Sequence, residues 1–476
     1  MAKLTTINIQ RRVKNMKYNL ANEKRHFLLI AVPMIIQNLI TNFVSMLDNI
    51  MIGQVSTAQM SGVSIANQFI FVFNITIFGA ISGAGIFGAQ YYGKGDHEGQ
   101  KYTFRFRLIL SLILIGIFAV VFNLFGKDLI SLFLSGDDSP EMISETLKYG
   151  NQYLRIMIIG LIPFGIGQAY ASVVRECGES KIPMYGSVAA IGVNLLLDYG
   201  LIFGKLGMPK MGVAGAAVAT VIAKTIEALV VIVWAHMHPR KNKYIVGAFK
   251  GMYIPAGLII EIIKKGIPLL FNEFMWALGE TIIAQSYSVK GIDVVAARNI
   301  ACTLTNLFGV IFVQMGGAIG IVIGNTLGTG DKEKARWLDR QLIVFSLKIN
   351  TIVALCLVPV SFLFPHFYNT EKDIMMLATF FILVRALAIP IWTYTNATYF
   401  TLRSGGKTGI TFLFDFGYSW LIMIPAAFLL NYFTNLDIHI VFAVVTYMEI
   451  IKVIIGYKLI KSGIWVNNLV EQYKDN

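Results

Sequence analysis

The residues of this sequence that could do chemistry are acids, amides and arginines set inside apolar stretches. In Gly192–Gly204, GVNLLLDYGLIFG, Asn194 and Asp198 stand one helical turn apart on one face, surrounded by leucine. A carboxylate beside an amide oxygen can hold Na⁺, or the carboxyl can hold a proton; the bland alternative is a hydrogen-bonded pair locking two helices together. Further back, Gln37, Asn38, Thr41, Asn42, Ser45, Asp48 and Asn49 recur at helical spacing. At about 100° per residue they fall within an arc of about 140°, and Leu39, Ile40, Phe43, Met46, Leu47 and Ile50 fill the rest. Such a stripe faces a wet cavity or a polar interface. Asp48 is its sharp point, because an acid in a span is costly and by default functional. The alternative puts Asp48 at the outer boundary, ending the helix before Gly53.

The second half carries a different set. Glu273 and Glu280 are seven residues apart and nearly eclipsed, with Trp276 beside them. Arg298, Cys302 and Thr305 share one face, and Arg385, Trp392, Asn396 and Tyr399 align on another. Two acids and two arginines suggest ion pairs across a central cavity, with structural pairing and direct ligand contact both open. Trp392 and Tyr399 can stack on a flat or cationic compound. Arg155, Lys224, Glu227, Asp415 and Glu449 are further charges within apolar segments, and Lys224 and Glu227, at i,i+3, are expected to satisfy each other.

Much chemistry is excluded. There is no Ser/His/Asp or Cys/His constellation, so no enzyme is expected, and six scattered histidines offer no metal-ligand spacing. Cys177, Cys302 and Cys356 make no disulfide framework. Gly405–Thr408, GGKT, lacks the upstream glycine of a P-loop because position 401 is threonine. With no nucleotide site and no cofactor expected, a helix bundle with charged interior faces has to draw on an ion gradient if it pumps anything.

The elements that must position these residues are membrane helices. The 476 residues are 56% hydrophobic and only 14% charged, against about 25% charged in a soluble globular chain. A bilayer core needs about 20 mostly apolar residues per helix. Twelve segments qualify: 27–50, 60–86, 106–126, 149–170, 184–204, 211–235, 258–284, 294–320, 341–364, 374–400, 409–430 and 438–460. Residues 1–26 are polar and basic, with Arg11, Arg12, Lys14, Lys17, Lys24 and Arg25, and the span that follows reads as an anchor, not a cleaved signal. Lysine and arginine crowd the segments on the side of the N-terminus, while the opposite loops hold only Lys127, Lys148, Lys205, Lys210, Lys290 and Lys372. The positive-inside rule then puts both termini in the cytoplasm, and it accounts for the net charge of +13 without nucleic acid.

The chain also repeats itself. FGAQYYGKGDHE at Phe87–Glu98 returns as VIGNTLGTGDKE at Val322–Glu333, carrying Gly93, Gly95 and Asp96 onto Gly328, Gly330 and Asp331. The same offset of 235 relates Pro33 to Pro268 and Gln37 to Asn272; an offset of 228 relates Arg175 to Arg403 and Gly178 to Gly406. Six spans per copy is an even number, so both copies enter the membrane the same way. The expected organisation is a cytoplasmic segment (1–26), an N-lobe (27–235), a basic cytoplasmic linker (236–257), a C-lobe (258–460) and a cytoplasmic tail (461–476). The glycines of the twin GKGD and GTGD turns allow tight turns, and Asp96 and Asp331 are expected to cap the following helices.

With these residues laid out, the chain resembles the multidrug and toxic compound extrusion (MATE) family of the MOP flippase superfamily. The marks are the proline-bearing first span ending in Asp48-Asn-Ile-Met-Ile-Gly53, GVSIANQ at Gly62–Gln68, the GKGD turn, YLRI at Tyr153–Ile156, VVRECGESKIP at Val173–Pro183, Asn194–Asp198, and GVAGAAVAT at Gly212–Thr220. The resemblance covers essentially all twelve spans. It implies an all-α polytopic membrane protein, two six-helix bundles around a central cleft, exporting organic drugs or toxins in exchange for Na⁺ or H⁺ by alternating access. It implies an ion or proton site at Asp48, Asn194, Asp198 and Thr220, with Asp48, Asn194 and Asp198 as the metal ligands if the ion is Na⁺. Asn42, Glu273, Trp276, Glu280, Arg298, Arg385, Trp392, Asn396 and Tyr399 are the candidates for the substrate cavity. The second copy departs from the family: span 10 carries Trp392 and no acid, and Arg298 and Arg385 make this lobe less attractive to cations. The expected partners are a small organic substrate and membrane lipids, in a monomer of the cell (plasma or inner) membrane. The rival reading is a lipid-linked precursor flippase of the same superfamily, with Arg298 and Arg385 meeting a pyrophosphate.

Overall fold

The computed structural model describes residues 18–54, 56–134, 139–368 and 370–471. Within them the chain is helical, and twelve helices are long and apolar enough to cross a membrane. In order they are α1 (Leu20–Gly53), α2 (Thr57–Lys94), α3 (His97–Ser131), α4 (Pro140–Glu176), α5 (Lys181–Phe203) and α6 (Val213–Met237). The second set is α7 (Ala256–Ser288), α8 (Ile292–Gly328), α9 (Lys332–Leu363), α10 (Lys372–Ser404), α11 (Thr408–Phe433) and α12 (Ile438–Ser462). Several run well past the apolar stretches that mark them in sequence. The 38 residues of α2 span about 57 Å at 1.5 Å per residue, against a hydrocarbon core of about 30 Å.

Helix ends follow from local chemistry. Asp96 accepts from the Gly99 amide at 2.9 Å and Asp331 from the Lys334 amide at 2.8 Å, so both aspartates are N-caps. Gly95 and Gly330 take positive φ, 75° and 81°, at the turns before them. Gly93 and Gly328 have another role, which the sequence reading missed. A Cβ on Gly93 would lie 1.8 Å from the Asn325 carbonyl oxygen, and one on Gly328 1.9 Å from that of Gln90. The first glycine of each twin motif is therefore where α2 and α8 touch. Gly83 against Gly266 and Gly79 against Leu270 continue the contact onto α7. All these contacts lie toward the face that carries Gly95 and Gly330.

The same face is tied by side chains. Gln90, fully buried, donates to the carbonyls of Ser404 (2.9 Å) and Asn467 (3.2 Å) and accepts from the Leu469 amide (2.7 Å). Arg107, also fully buried, pairs with Glu176 at 2.8 Å. The segment between the copies, basic and broken by Pro239 and Pro255, is docked: Arg105 donates to the carbonyls of Gly247, Ala248 and Tyr253, and Tyr244 is fully buried against Phe104.

Each copy has its own apolar core, around Phe73, Ile77, Tyr153 and Leu161 in the first and around Ala301, Phe381, Ile389 and Phe442 in the second. A third core joins them. Phe27, Ile30 and Met34 at the start of α1 pack with Met315, Ile319, Ile323, Leu338 and Leu342 of α8 and α9. Helix α1 thus begins against the second copy, while its chief partner in the first is α5. Helix α11 is irregular, with π-helical turns at Leu413–Gly417 and Ser419–Met423.

The twin glycines can be told apart by substitution. Gly95→Ala meets no atom within 4 Å and should cost only the left-handed backbone penalty, about 1 kcal/mol. Gly93→Ala drives a methyl into backbone and should lower the melting temperature of the detergent-solubilised protein by several times the Gly95→Ala shift. Equal shifts would contradict the assigned contact.

Candidate functional site

The helices of the first copy bring six polar side chains to one place. Asp198 is fully buried on α5, with Asn194 one turn before it, also buried. Asp48 comes from α1, five residues before the end of that helix at Gly53, so it does not terminate the helix. Its carboxyl faces that of Asp198, and the Asn194 amide lies against Asp198. Tyr153 of α4, buried at 5% exposure, adjoins both carboxylates, and its hydroxyl is within hydrogen-bonding reach of Thr220 on α6 and Asn67 on α2. Thr220 spends its own proton on the Ala216 carbonyl at 2.9 Å, leaving its oxygen free to accept.

This cluster is under-satisfied. Both carboxylate oxygens of Asp198, both amide atoms of Asn194 and Oδ1 of Asp48 are buried without a well-formed hydrogen bond. Buried polar atoms are nearly always paired, and an orphan costs about 1–3 kcal/mol. Two carboxylates face to face, with an amide oxygen and a hydroxyl beside them, form an acceptor set for a cation. Of the span-1 stripe, Gln37 is buried and donates to Ser187 at 2.9 Å, while Asn38 and Thr41 donate to carbonyls of their own helix. Asn42 is exposed, and the side chains of Ser45 and Asn49 lie outside the described residues. Tyr153 and Asn67 were within reach of sequence reasoning, since both sit in the YLRI and GVSIANQ motifs, but neither is ionisable at ordinary pH and neither was singled out.

The candidates of the second copy do not gather at one point. Tyr399 donates to Glu273 at 3.3 Å and lies 3.4 Å from the Asn272 amide. Asn272 donates in turn to Asp415 at 2.9 Å, and Asp415 pairs with Lys452. Trp276 and Glu280 line a pocket together with Trp420, Asp415, Glu449 and Lys452. Arg298 reaches Glu280 at 3.8 Å. Arg385 has a neutral partner instead, donating to Thr305 at 2.8 Å with its guanidinium 5.1 Å from the Trp392 ring centre. Asn396 fills the space over Gly316, where its Oδ1 would lie 2.0 Å from a Cβ. The π-helical turns of α11 carry Asp415 and Trp420 into the cavity wall, a feature with no signal in the apolar pattern.

A family model, MatE, matches residues 33–200 and again 268–433, the two matches beginning at Pro33 and Pro268. The probable multidrug resistance protein NorM of Thermotoga maritima is 24% identical over 418 residues, which cover 86% of this chain and 85% of that protein. The probable multidrug resistance protein YoeA of Bacillus subtilis is 23% identical over 424 residues, or 87% and 88%. A multidrug resistance MATE family transporter of the MOP superfamily, solved in an outward-facing conformation, superposes with a TM-score of 0.82 at 18% identity, over 93% of this chain and 96% of that one. A MOP superfamily transporter from Pyrococcus furiosus, described by a reverse polarity of its binding pocket, gives 0.81 at 17% identity, over 92% and 95%. At these identities the structures share the fold.

The orphaned atoms have a measurable consequence. In sodium-free buffer at alkaline pH, Asp198→Asn replaces one of two facing carboxylates with an amide that can donate to Asp48. It should raise the melting temperature by a few degrees, corresponding to roughly 1–3 kcal/mol. A fall would show that the two carboxylates are already satisfied by each other.

Proposed function

Because the chain belongs to the MatE family, a family of transporters and not of enzymes, we propose that it is a secondary antiporter exporting organic drugs or toxins across the cell membrane in exchange for Na⁺ or H⁺. The single observation that carries the coupling half of this reading is the Asp48–Asp198 cluster, with its buried and unpartnered acceptors. Asp48, Asn194, Asp198 and Thr220 take up the cation, as substrate of the exchange. Na⁺ would meet carboxylate, amide and hydroxyl oxygens there; H⁺ would be shared between the two carboxylates. Both termini are cytoplasmic, on the positive-inside rule, and the protein acts as a monomer. The contacts of Gly93, Gly328 and Gln90 then join the two copies on the cytoplasmic side.

Coupling needs only that the cation bind one conformation better than the other. Occupation of Asp48 and Asp198 alters the packing of α1 on α5. Because α1 begins against the second copy, that change reaches the interface along which the copies rock. The exported compound occupies the cleft and the second-copy cavity, where Trp276 and Trp420 offer rings and Glu280 and Glu449 offer charge. The flippase reading has less support. It needs arginines free to meet a pyrophosphate, and Arg298 and Arg385 already have partners in Glu280 and Thr305.

The test is ethidium efflux from reconstituted vesicles with Na⁺ and pH gradients imposed separately. One gradient should drive efflux in the wild type, and Asp198→Asn should lose about tenfold or more of that rate while remaining folded. Unchanged gradient-driven efflux in the variant would remove the cluster from the mechanism.

A further inference from the structure

The chain leaves the last helix of each copy and docks, but the two docked segments go to different places. Beyond α6 it stays with the first copy, where Tyr244, Ile245 and Ala248 pack among Phe104, Tyr170 and Val174. Beyond α12 it turns at Gly463, with φ of 71°, and crosses over. Trp465 keeps this segment on the second copy: fully buried, it joins the core of Leu338, Leu342 and Leu402, and its carbonyl lies against Gly405. From Asn467 onward the segment reaches α2 of the first copy. Gln90 donates to the Asn467 carbonyl and accepts from the Leu469 amide, and Lys94 donates to the Val470 carbonyl at 2.9 Å. Val470 is fully buried in one apolar cluster with Ala84, Phe87 and Tyr91 of α2 and Leu258 and Ile262 of α7.

The crossing falls on the seam between the copies. The carbonyl of Gln90 is the atom that leaves Gly328 of α8 no room for a Cβ, and Lys94 follows Gly93, which meets Asn325 in the same way. Gly83, beside Ala84, meets Gly266 of α7. Parting α2 from α7 and α8 therefore splits the Val470 cluster and pulls the segment away from one copy. Its two holds are unequal. The second copy has it by chain continuity with α12 and by a buried tryptophan; α2 has it by three hydrogen bonds and one valine. The hold on α2 is the one that yields. Water entering the parted seam can take over the bonds of Gln90 and Lys94, so letting go costs little more than re-burying Val470 restores.

We propose that residues 467–471 are a strap across the cytoplasmic seam, anchored to the second copy at Trp465 and released from Gln90, Lys94 and the Val470 cluster each time that side opens. This rests on the export reading above, in which the compound is taken up from the cytoplasm between the two copies. The strap's grip on α2 sets how often the seam parts, since anything that favours the joined state lowers the population of the open one. The docked segment between the copies has no such part, because Arg105 and Tyr244 hold it on α3 within the first copy.

The experiment uses the full chain with Cys177, Cys302 and Cys356 replaced by serine, reconstituted in vesicles, and reads the strap in two ways. In the first, Lys94→Cys and Glu471→Cys, both exposed and on either side of the Lys94–Val470 bond, are joined by a short bifunctional methanethiosulfonate that reductant cleaves. Ethidium efflux should fall on the order of tenfold when the strap is tied to α2 and recover on reduction, while Glu471→Cys alone, treated identically, keeps its rate within about twofold. Full efflux with the strap tied would overturn the proposal. In the second, Ala89→Cys, buried on α2 against Gly324 of α8, is labelled with N-ethylmaleimide. Ending the chain at Val466 keeps Trp465 and removes the strap, and should speed labelling on the order of tenfold. An unchanged labelling rate, in protein that still melts cooperatively, would also overturn it. A wild type with no efflux under either gradient would overturn the export reading, and the strap's part in export with it; the labelling rates, which need no transport, report separately on whether the strap holds the seam.

Discussion

An acid carried into a bilayer survives only where protein surrounds it, and the arrangement of the first copy follows from that constraint. Asp48 and Asp198 are on helices 150 residues apart in the chain, yet both turn away from lipid into one cluster with Asn194, Tyr153 and Thr220. Satisfying them draws in α1, α2, α4, α5 and α6. The cost of leaving their acceptors unpaired ties stability to what occupies the cluster. Helix α1 extends that consequence, since its first turns belong to the core of the other copy. A local change at Asp48 is thereby presented at the contact between the halves.

Duplication explains what the two halves have in common, and divergence explains what each does. The turn glycines, the capping aspartates and the close contact of Gly93 with Asn325 and of Gly328 with Gln90 are kept as reciprocal pairs. They hold the frame. The acids are not kept. The first copy concentrates its bare carboxylates at Asp48 and Asp198, whereas the second spreads Glu273, Glu280, Asp415 and Glu449 among tyrosine, arginine and lysine partners around an aromatic-lined cavity. The π-helical turns of α11 contribute to that pocket's wall and have no counterpart in α5.

Twelve helices, their order and the capping aspartates were legible because each rests on local chemistry: an apolar run, a polar break, an oxygen before a helix. Asn194 and Asp198 could be picked out for the same reason, one turn apart among leucines. What the sequence hid is set by distant partners. Gly93 reads as a turn glycine until Asn325 is beside it. The segment 236–257 reads only as a basic linker broken by prolines until Arg105 is seen holding three of its carbonyls. Arg385 reads as half of an ion pair, and the structure gives it a threonine and a tryptophan ring. The π-helical turns of α11 shift side-chain direction without altering composition, so no hydropathy pattern could reveal them.

In the proposed exchange a cation enters through the Asp48–Asp198 cluster as the compound leaves. The most direct test is to count ions and compound together. In vesicles with a fixed membrane potential, ²²Na⁺ uptake and internal pH would be recorded during ethidium export by the wild type and by Asp48→Asn. The account predicts counter-movement of Na⁺ or of H⁺ in constant ratio to ethidium, abolished along with export in the variant. Ethidium export with no counter-movement of either ion, or with a counter-ion flux that persists in Asp48→Asn, would contradict it.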